Sequence, residues 1–352
     1  MFFYLLILFF FVVLAYTESP FRQRTDFSNN IYVYSFLILF LFSGLRYDVG
    51  VDYLSYLELF NDSSVLNENI KEPGFAGLFY IFKRIGVSFF VVNILLSFVI
   101  IFFAFKYIRK YSPLIFLSLL IFYSTGQYYF NTFNAVRQAI AIYVFWCSLD
   151  LIKNKKVVAY FFCILFISLF FHMSAILLFP LYFVVRRQYG IGIKIATLIG
   201  IILGSEIIVQ LVGASSYSVY LKFDQFASDV TSTTYFLFFL SCFFFFLSWK
   251  YPQYTLDSSI FNNLNYLALL TLTLTIVFRG TPLIMITNRF SYYFTPVYIV
   301  LIPVFVSKIQ VLTNRRIILG ITIVFYAILC YIALYVNGTS NRMIPYQTIL
   351  NN

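Results

Sequence analysis

Apolar runs of about 15–20 residues recur along almost the whole of this chain, and that repetition decides the fold class. A helix of that length reaches most or all of the way across the roughly 30 Å hydrocarbon layer of a bilayer. A soluble core has no use for so many such runs in 352 residues, of which 62% are hydrophobic and 11% charged. A β-barrel would instead alternate apolar and polar residues in segments of about ten, and no such alternation is present. The chain is expected to be all-α, a polytopic integral membrane protein. The many Phe and Tyr residues fit lipid-facing bulk and interfacial belts.

The formal charge of +11 raises the question of nucleic acid or anionic lipid, but its distribution answers otherwise. Basic clusters at 22–24, 106–110, 153–156, 186–194, 250 and 308–316 separate the apolar runs. The positive-inside rule places these segments in the cytoplasm. The acids gather in the intervening segments, among them Asp48, Asp52, Glu58, Asp62, Glu68, Glu72, Asp224 and Asp229. The basic excess is read as a topology signal, with no nucleic-acid partner. The expected spans are about 1–16, 31–45, 87–105, 113–130, 139–152, 157–171, 173–185, 195–212, 233–249, 261–278, 290–307 and 317–336, about 12 helices with both termini outside. Residues 75–86 are amphipathic and read as an interfacial helix. The first run lacks a basic n-region and a small-residue cleavage site, so it is expected to be a retained span. The longest outer loops are expected at about 46–74 and 213–232, and the chain is read as one domain, 1–352.

The run from Val157 to Val185 is too long for one span: its 29 residues would make about 43 Å of helix. Both of its ends are basic, with Lys155 and Lys156 before it and Arg186 and Arg187 after it. A hairpin of two short helices satisfies both flanks and puts its tip near His172, at the outer face.

Cys147, Cys163, Cys242 and Cys330 all fall within apolar runs, without metal-ligand spacing, and read as small core hydrophobes. One histidine with no paired Cys/His excludes a standard zinc site. No GxxxxGK[ST] loop is present, which argues against a cytosolic ATPase. No metal and no cofactor are expected.

Three outer-face signals look like parts of one site. The first is Arg46-Tyr47-Asp48-Val49-Gly50-Val51-Asp52-Tyr53. Asp48 and Asp52 are four apart, on one side if the segment is helical. Two carboxylates beside an arginine can orient a sugar hydroxyl or take its proton; the alternatives are a solvated acidic loop and a divalent-metal site, for which two carboxylates are too few. The second is the turn Asn134-Ala135-Val136-Arg137-Gln138. An arginine at a helix N-terminus opposes the helix dipole, so it has another task or snorkels. Its guanidinium fork beside free N–H groups would suit a diphosphate. The third is His172 in Phe171-His172-Met173-Ser174-Ala175, a general base, a donor to an oxyanion, or a buried histidine bonded to a neighbouring helix. Arg279 and Arg289 flank a further expected outer loop and could hold a pyrophosphate; singly, each could be a span-end anchor.

Taken together these motifs resemble the EpsG family, the Wzy-like bacterial polysaccharide polymerases. The resemblance rests on Gly44–Tyr56, Glu72-Pro73-Gly74-Phe75, Val136–Ala141, Phe171–Ala175 and Asn288-Arg289-Phe290-Ser291-Tyr292-Tyr293, in the family's order. It departs at Val51, where the family usually has Thr. The resemblance implies a fold like the GT-C glycosyltransferases and Wzy polymerases. It implies joining of undecaprenyl-diphosphate-linked oligosaccharides into O-antigen, capsule or exopolysaccharide at the outer face of the bacterial inner membrane. Membrane lipids and a chain-length regulator of the pathway would be partners. Arg46, Arg137, Arg289 and Arg279 would hold the diphosphate. His172 and Asp52, with Asp48 behind them, would be the candidate bases. Glu72 would orient a sugar or an arginine, and Gln138 and Tyr53 would contact sugar. The rival readings are an O-antigen ligase, a lipid-linked-oligosaccharide flippase and a membrane acyltransferase.

Overall fold

The computed structural model describes residues 1–18, 26–62, 72–214, 218, 227–256 and 259–349. The basic cluster at 22–24, Glu68 and most of the expected loop 213–232 lie outside them. The chain packs as two compact units, one of residues 1–182 with 310–352 and one of 183–309. The single domain expected from sequence is therefore described unit by unit.

The first unit contains α1 (Phe2–Thr17), α2 (Asp26–Gly44), α3 (Tyr53–Asn61), α4 (Pro73–Arg84), α5 (Phe89–Tyr111), α6 (Ile115–Ser124), α7 (Val136–Lys153) and α8 (Val157–Phe170). A 3₁₀ segment, Met173–Leu178, and the C-terminal α16 (Leu312–Asn337) complete it, while the short α9 (Leu181–Val184) crosses into the second unit. Packing follows chain order: α2 lies on α5, α5 on α7, α7 on α8, and α1 on both α6 and α16. The second unit contains α10 (Ile191–Leu203), α11 (Ser205–Gly213), α12 (Ser232–Lys250), α13 (Ser259–Val277), α14 (Leu283–Phe294) and α15 (Tyr298–Lys308), with α13 packed on α10, α12 and α14.

Among the described residues, five helical runs are long and apolar enough to cross a membrane: Phe89–Tyr111, Ser232–Lys250, Ser259–Val277, Leu283–Lys308 and Leu312–Val336. The α10–α11 pair, bent by 62° at Gly204, makes six if it is one span. The chain is a polytopic helical membrane protein. Length and composition alone support fewer spans than the expected twelve, because several expected spans are short helices; α6 has 10 residues and α8 has 14. The 12 residues of α4 make about 18 Å of helix, too short to cross.

Two sequence readings need correction. The expected loop bracketed by Arg279 and Arg289 is short, because a helix starts at Leu283, just after Pro282. Arg289 therefore stands within α14 rather than at a loop end. The segment 46–52 is not helical either. Asp48 adopts φ +48° and Gly50 φ +99°, so Asp48 and Asp52 do not share a helix face; α3 starts only at Tyr53.

The hairpin reading of 157–185 describes the chain well. It leaves α8 at Phe170, turns at His172 and runs back along α8. The Tyr160 hydroxyl donates to the Leu178 carbonyl at 2.7 Å, and the Tyr160 and Tyr182 rings lie 5.7 Å apart.

Candidate functional site: a carboxylate bridging an arginine and a histidine

Glu72 is the N-cap residue of α4, with Pro73 in the first helical position, where its missing N–H costs nothing. Its carboxylate does not cap its own helix. One oxygen, Oε2, accepts Arg137 Nη1 at 2.5 Å. The other, Oε1, accepts the Met173 backbone N–H at 3.0 Å and lies 3.6 Å from His172 Nδ1, longer than a hydrogen bond. Arg137 Nε in turn reaches the Tyr56 hydroxyl at 3.4 Å, and the guanidinium lies 5.6 Å from the Phe75 ring centre. Four of the sequence segments thus meet around one carboxylate.

Local chain geometry makes that meeting possible. Arg137 is in the first turn of α7, and His172 follows the last turn of α8. Antiparallel neighbours bring those two ends together. Gly74 admits α4: a Cβ there would come within 2.7 Å of the Phe170 Cα. Any larger residue would push Glu72 away from His172.

The cluster is recessed but reachable. Side-chain exposures are 6% for Glu72, 18% for His172 and 23% for Arg137. Burial by itself would push the Glu72 carboxyl up. His172, Arg137 and the Met173 N–H outweigh it and hold the group at about 2. Glu72 is therefore a carboxylate at neutral pH and cannot donate a proton.

The 46–53 loop is built around an arginine turned inward. Arg46 is 2% exposed. Its Nη1 donates to the Ser43 carbonyl at 2.7 Å and to the Ser43 and Ser97 hydroxyls at 3.2 and 3.4 Å. Its Nη2 reaches the Phe133 carbonyl at 3.4 Å, and its Cζ sits 4.7 Å from the Phe133 ring centre. This guanidinium is turned into the interior, where it ties the loop to Ser43, Ser97 and Phe133. Tyr53, 2% exposed, packs edge-on against Phe89 and faces Arg46. The Val51 N–H donates to Asn134 Oδ1 at 2.7 Å, tying the loop to the turn that carries Arg137. Gly50 is required there twice, by its φ and because a Cβ would meet Asn134 Oδ1 and the Phe133 carbonyl at 2.9 Å.

Asp52 is half-buried at the N-cap of α3, and its charge acts on Tyr56 and Arg137, next to the cluster. Asp48 lies 3.6 Å from Arg342. Gln138 is buried in the first turn of α7. Arg279 and Arg289 belong to the second unit, where both are exposed. Among the described residues, no three His, Cys, Asp or Glu side chains gather as metal ligands.

Sequence reading missed the C-terminal strap. Residues 342–349 lie along the 45–50 segment: the Tyr47 N–H donates to Gln347, the Gly50 N–H to Arg342, and the Ile349 N–H to Leu45. The Tyr346 ring stacks on Phe42 with centres 4.1 Å apart, and its hydroxyl donates to the Phe42 carbonyl at 2.7 Å. No periodicity marks such a segment, since its role is set by backbone pairing with residues some 300 positions away.

This fold and cluster define a polytopic helical membrane protein with an ionisable constellation at one end of a helix hairpin. Residues 29–348 match the EpsG family, and the chain belongs to it. That membership makes it a membrane protein of polysaccharide biosynthesis. No match was found among curated proteins or among solved structures.

Proposed function

We propose that this protein is a repeat-unit polymerase acting on polyprenyl-diphosphate-linked oligosaccharides at the outer face of the bacterial plasma membrane. The observation that carries the reading is Glu72 bridging Arg137 and His172 within a chain of the EpsG family. In the reaction, the terminal hydroxyl of one lipid-linked unit attacks the anomeric carbon of another chain. The bond from that carbon to the diphosphate breaks, and the lipid diphosphate leaves. The hydroxyl proton goes to a base, and negative charge builds on the leaving oxygen.

The residues divide these tasks. Glu72, held ionised, favours a proton on the His172 nitrogen facing it, leaving Nε2 as the acceptor for the sugar hydroxyl. Geometry favours His172 over Asp52 as base because His172 Nδ1 faces the buried Glu72 carboxylate at 3.6 Å. Arg137, fixed by Glu72 and Tyr56 through Nη1 and Nε, has its remaining N–H groups for the diphosphate oxygens. Arg46 positions the 46–53 loop, and Arg279 and Arg289 are secondary candidates for the diphosphate. The expected topology of about 12 spans in a GT-C/Wzy-like arrangement, with the basic segments in the cytoplasm, puts this cluster outside.

The test is a strain deleted for this chain and complemented from a plasmid, with surface polysaccharide resolved by length on a gel. Deletion should leave a one-repeat band without a ladder. His172→Gln should do the same, and Arg137→Lys should lower chain extension about 10²–10³-fold, since an ammonium cannot replace the fork. Loss of the one-repeat band as well would favour a ligase or flippase. A normal ladder from both variants at matched protein level would overturn the assignment.

A further inference from the structure

The second unit holds a cavity of about 260 Å³ where α10, α12 and α13 have ends at one level. It is lined by Gln188, Tyr189, Lys194, Trp249, Asn262 and Asn263, with Ser248 and Ser259 beside them. Its size is well above the ~10–15 Å³ that one water needs, so a polyatomic group can enter. None of these residues takes part in the cluster around Glu72.

The wall is built in advance. Asn263 is 3% exposed and donates to the Val185 carbonyl at 3.0 Å and the Arg187 carbonyl at 2.6 Å. The Ser259 hydroxyl reaches the Arg186 carbonyl at 3.3 Å. These bonds fix the 185–188 segment against the start of α13. Lys194 stands half-buried between two rings, its Nζ 5.6 Å from the Tyr266 centre and 6.0 Å from the Phe245 centre. Its backbone is pinned as well, because the Tyr266 hydroxyl donates to the Lys194 carbonyl at 2.7 Å. Among the described residues, no carboxylate forms an ion pair with Lys194. A half-buried cation held among π faces and amides, with no carboxylate of the described residues against it, suits an anion.

The surroundings say which anion. The segments 183–194 and 246–263 carry Arg186, Arg187, Lys194 and Lys250 against one acid, Asp257, which lies outside the described residues. α12 and α13 are long and apolar enough to cross a membrane, and α10 buries none of its residues. Its exposed Ile195, Ile199 and Ile202, spaced i, i+4 and i+7, form one apolar, lipid-facing stripe. Trp249 and Tyr251, both exposed, mark the level at which spanning helices meet headgroups. The first turns of α10 and α13 begin at the cavity with N–H groups that their own helices leave unpaired.

We propose that this cavity is a binding site for the phosphate-ester anion of an acidic membrane lipid. Lys194 supplies the charge, Asn262 and Gln188 supply hydrogen bonds to the headgroup, and the acyl chains lie along the exposed isoleucines of α10. The site is independent of the polymerase reading.

The chain has two tryptophans, Trp249 at the cavity and Trp146 in the core of the first unit, so Trp146→Phe leaves Trp249 as sole reporter. Full-length protein in detergent is titrated with short-chain phosphatidylglycerol, phosphatidylcholine and inorganic phosphate while Trp249 emission is followed. Phosphatidylglycerol should give a saturable change and bind about tenfold or more tightly than zwitterionic phosphatidylcholine. Lys194→Gln should weaken it about tenfold, and Lys194→Arg should restore most of the affinity. Native mass spectrometry of otherwise wild-type protein, with and without Lys194→Gln, gives the same comparison as retained lipid if Trp146→Phe does not fold. Equal binding of the two lipids, or no effect of Lys194→Gln, would overturn the proposal. Saturation by inorganic phosphate at the same concentrations would assign the site to a soluble phosphate and overturn the lipid.

Discussion

Replacing Glu72 by Gln isolates the charge at the centre of the site while keeping its volume. The magnitude follows from the structure in two ways. Lowering the carboxyl from 4.5 to about 2 corresponds to about 3 kcal/mol of preference for the ionised form in the folded protein. Breaking a buried ion pair from one side costs about 3–5 kcal/mol, and Arg137 at 23% exposure keeps enough water to put this pair at the low end. A loss of about 3 kcal/mol lowers Tm by about 6–12 °C for a unit of this size. The assay is thermal unfolding of detergent-purified protein across pH. The folded-state value is depressed, so the stabilisation is fully present above about 4.5 and is lost as pH falls from there toward 2. The gap between wild type and Glu72→Gln should therefore be wide at pH 7 and close below about pH 4.5. A gap under about 1 °C at pH 7, or one independent of pH, would mean that the carboxylate does not hold the cluster together.

Three further outcomes can be measured independently. Gly50→Ala should cost about 1–3 kcal/mol in melting experiments, because its φ is left-handed and the added carbon meets Asn134 and Phe133; an unchanged Tm would argue against the described turn. Tyr346→Ala should cost about 3–5 kcal/mol through loss of the stack on Phe42, and Tyr346→Phe about 1 kcal/mol through loss of the hydroxyl bond, so equal effects would contradict the strap. In a background without the native cysteines, Ser55→Cys, exposed on α3, should react with an impermeant thiol reagent added to intact spheroplasts; labelling only after lysis would reverse the topology.

Apolar run length determined the class of this protein from sequence alone, because a bilayer imposes its thickness on any helix that crosses it. The basic flanks of 157–185 likewise determined the reversal at His172, since one helix cannot return to the side it left. The residue order around Arg46, Glu72, Arg137 and His172 was enough to suggest the family. Which charges meet was decided only in three dimensions. Arg46 and Arg137 look equivalent as motif arginines, yet one points into carbonyls and aromatic faces and the other onto a carboxylate. Nothing local distinguishes them, because the difference lies in what α5 and α4 place opposite: Ser97 for Arg46, Glu72 for Arg137. The strap at 342–349 has no pattern of its own, since backbone pairing specifies no side chain. The cavity beside Lys194 exists because three helix ends coincide, a property of packing that no single segment encodes.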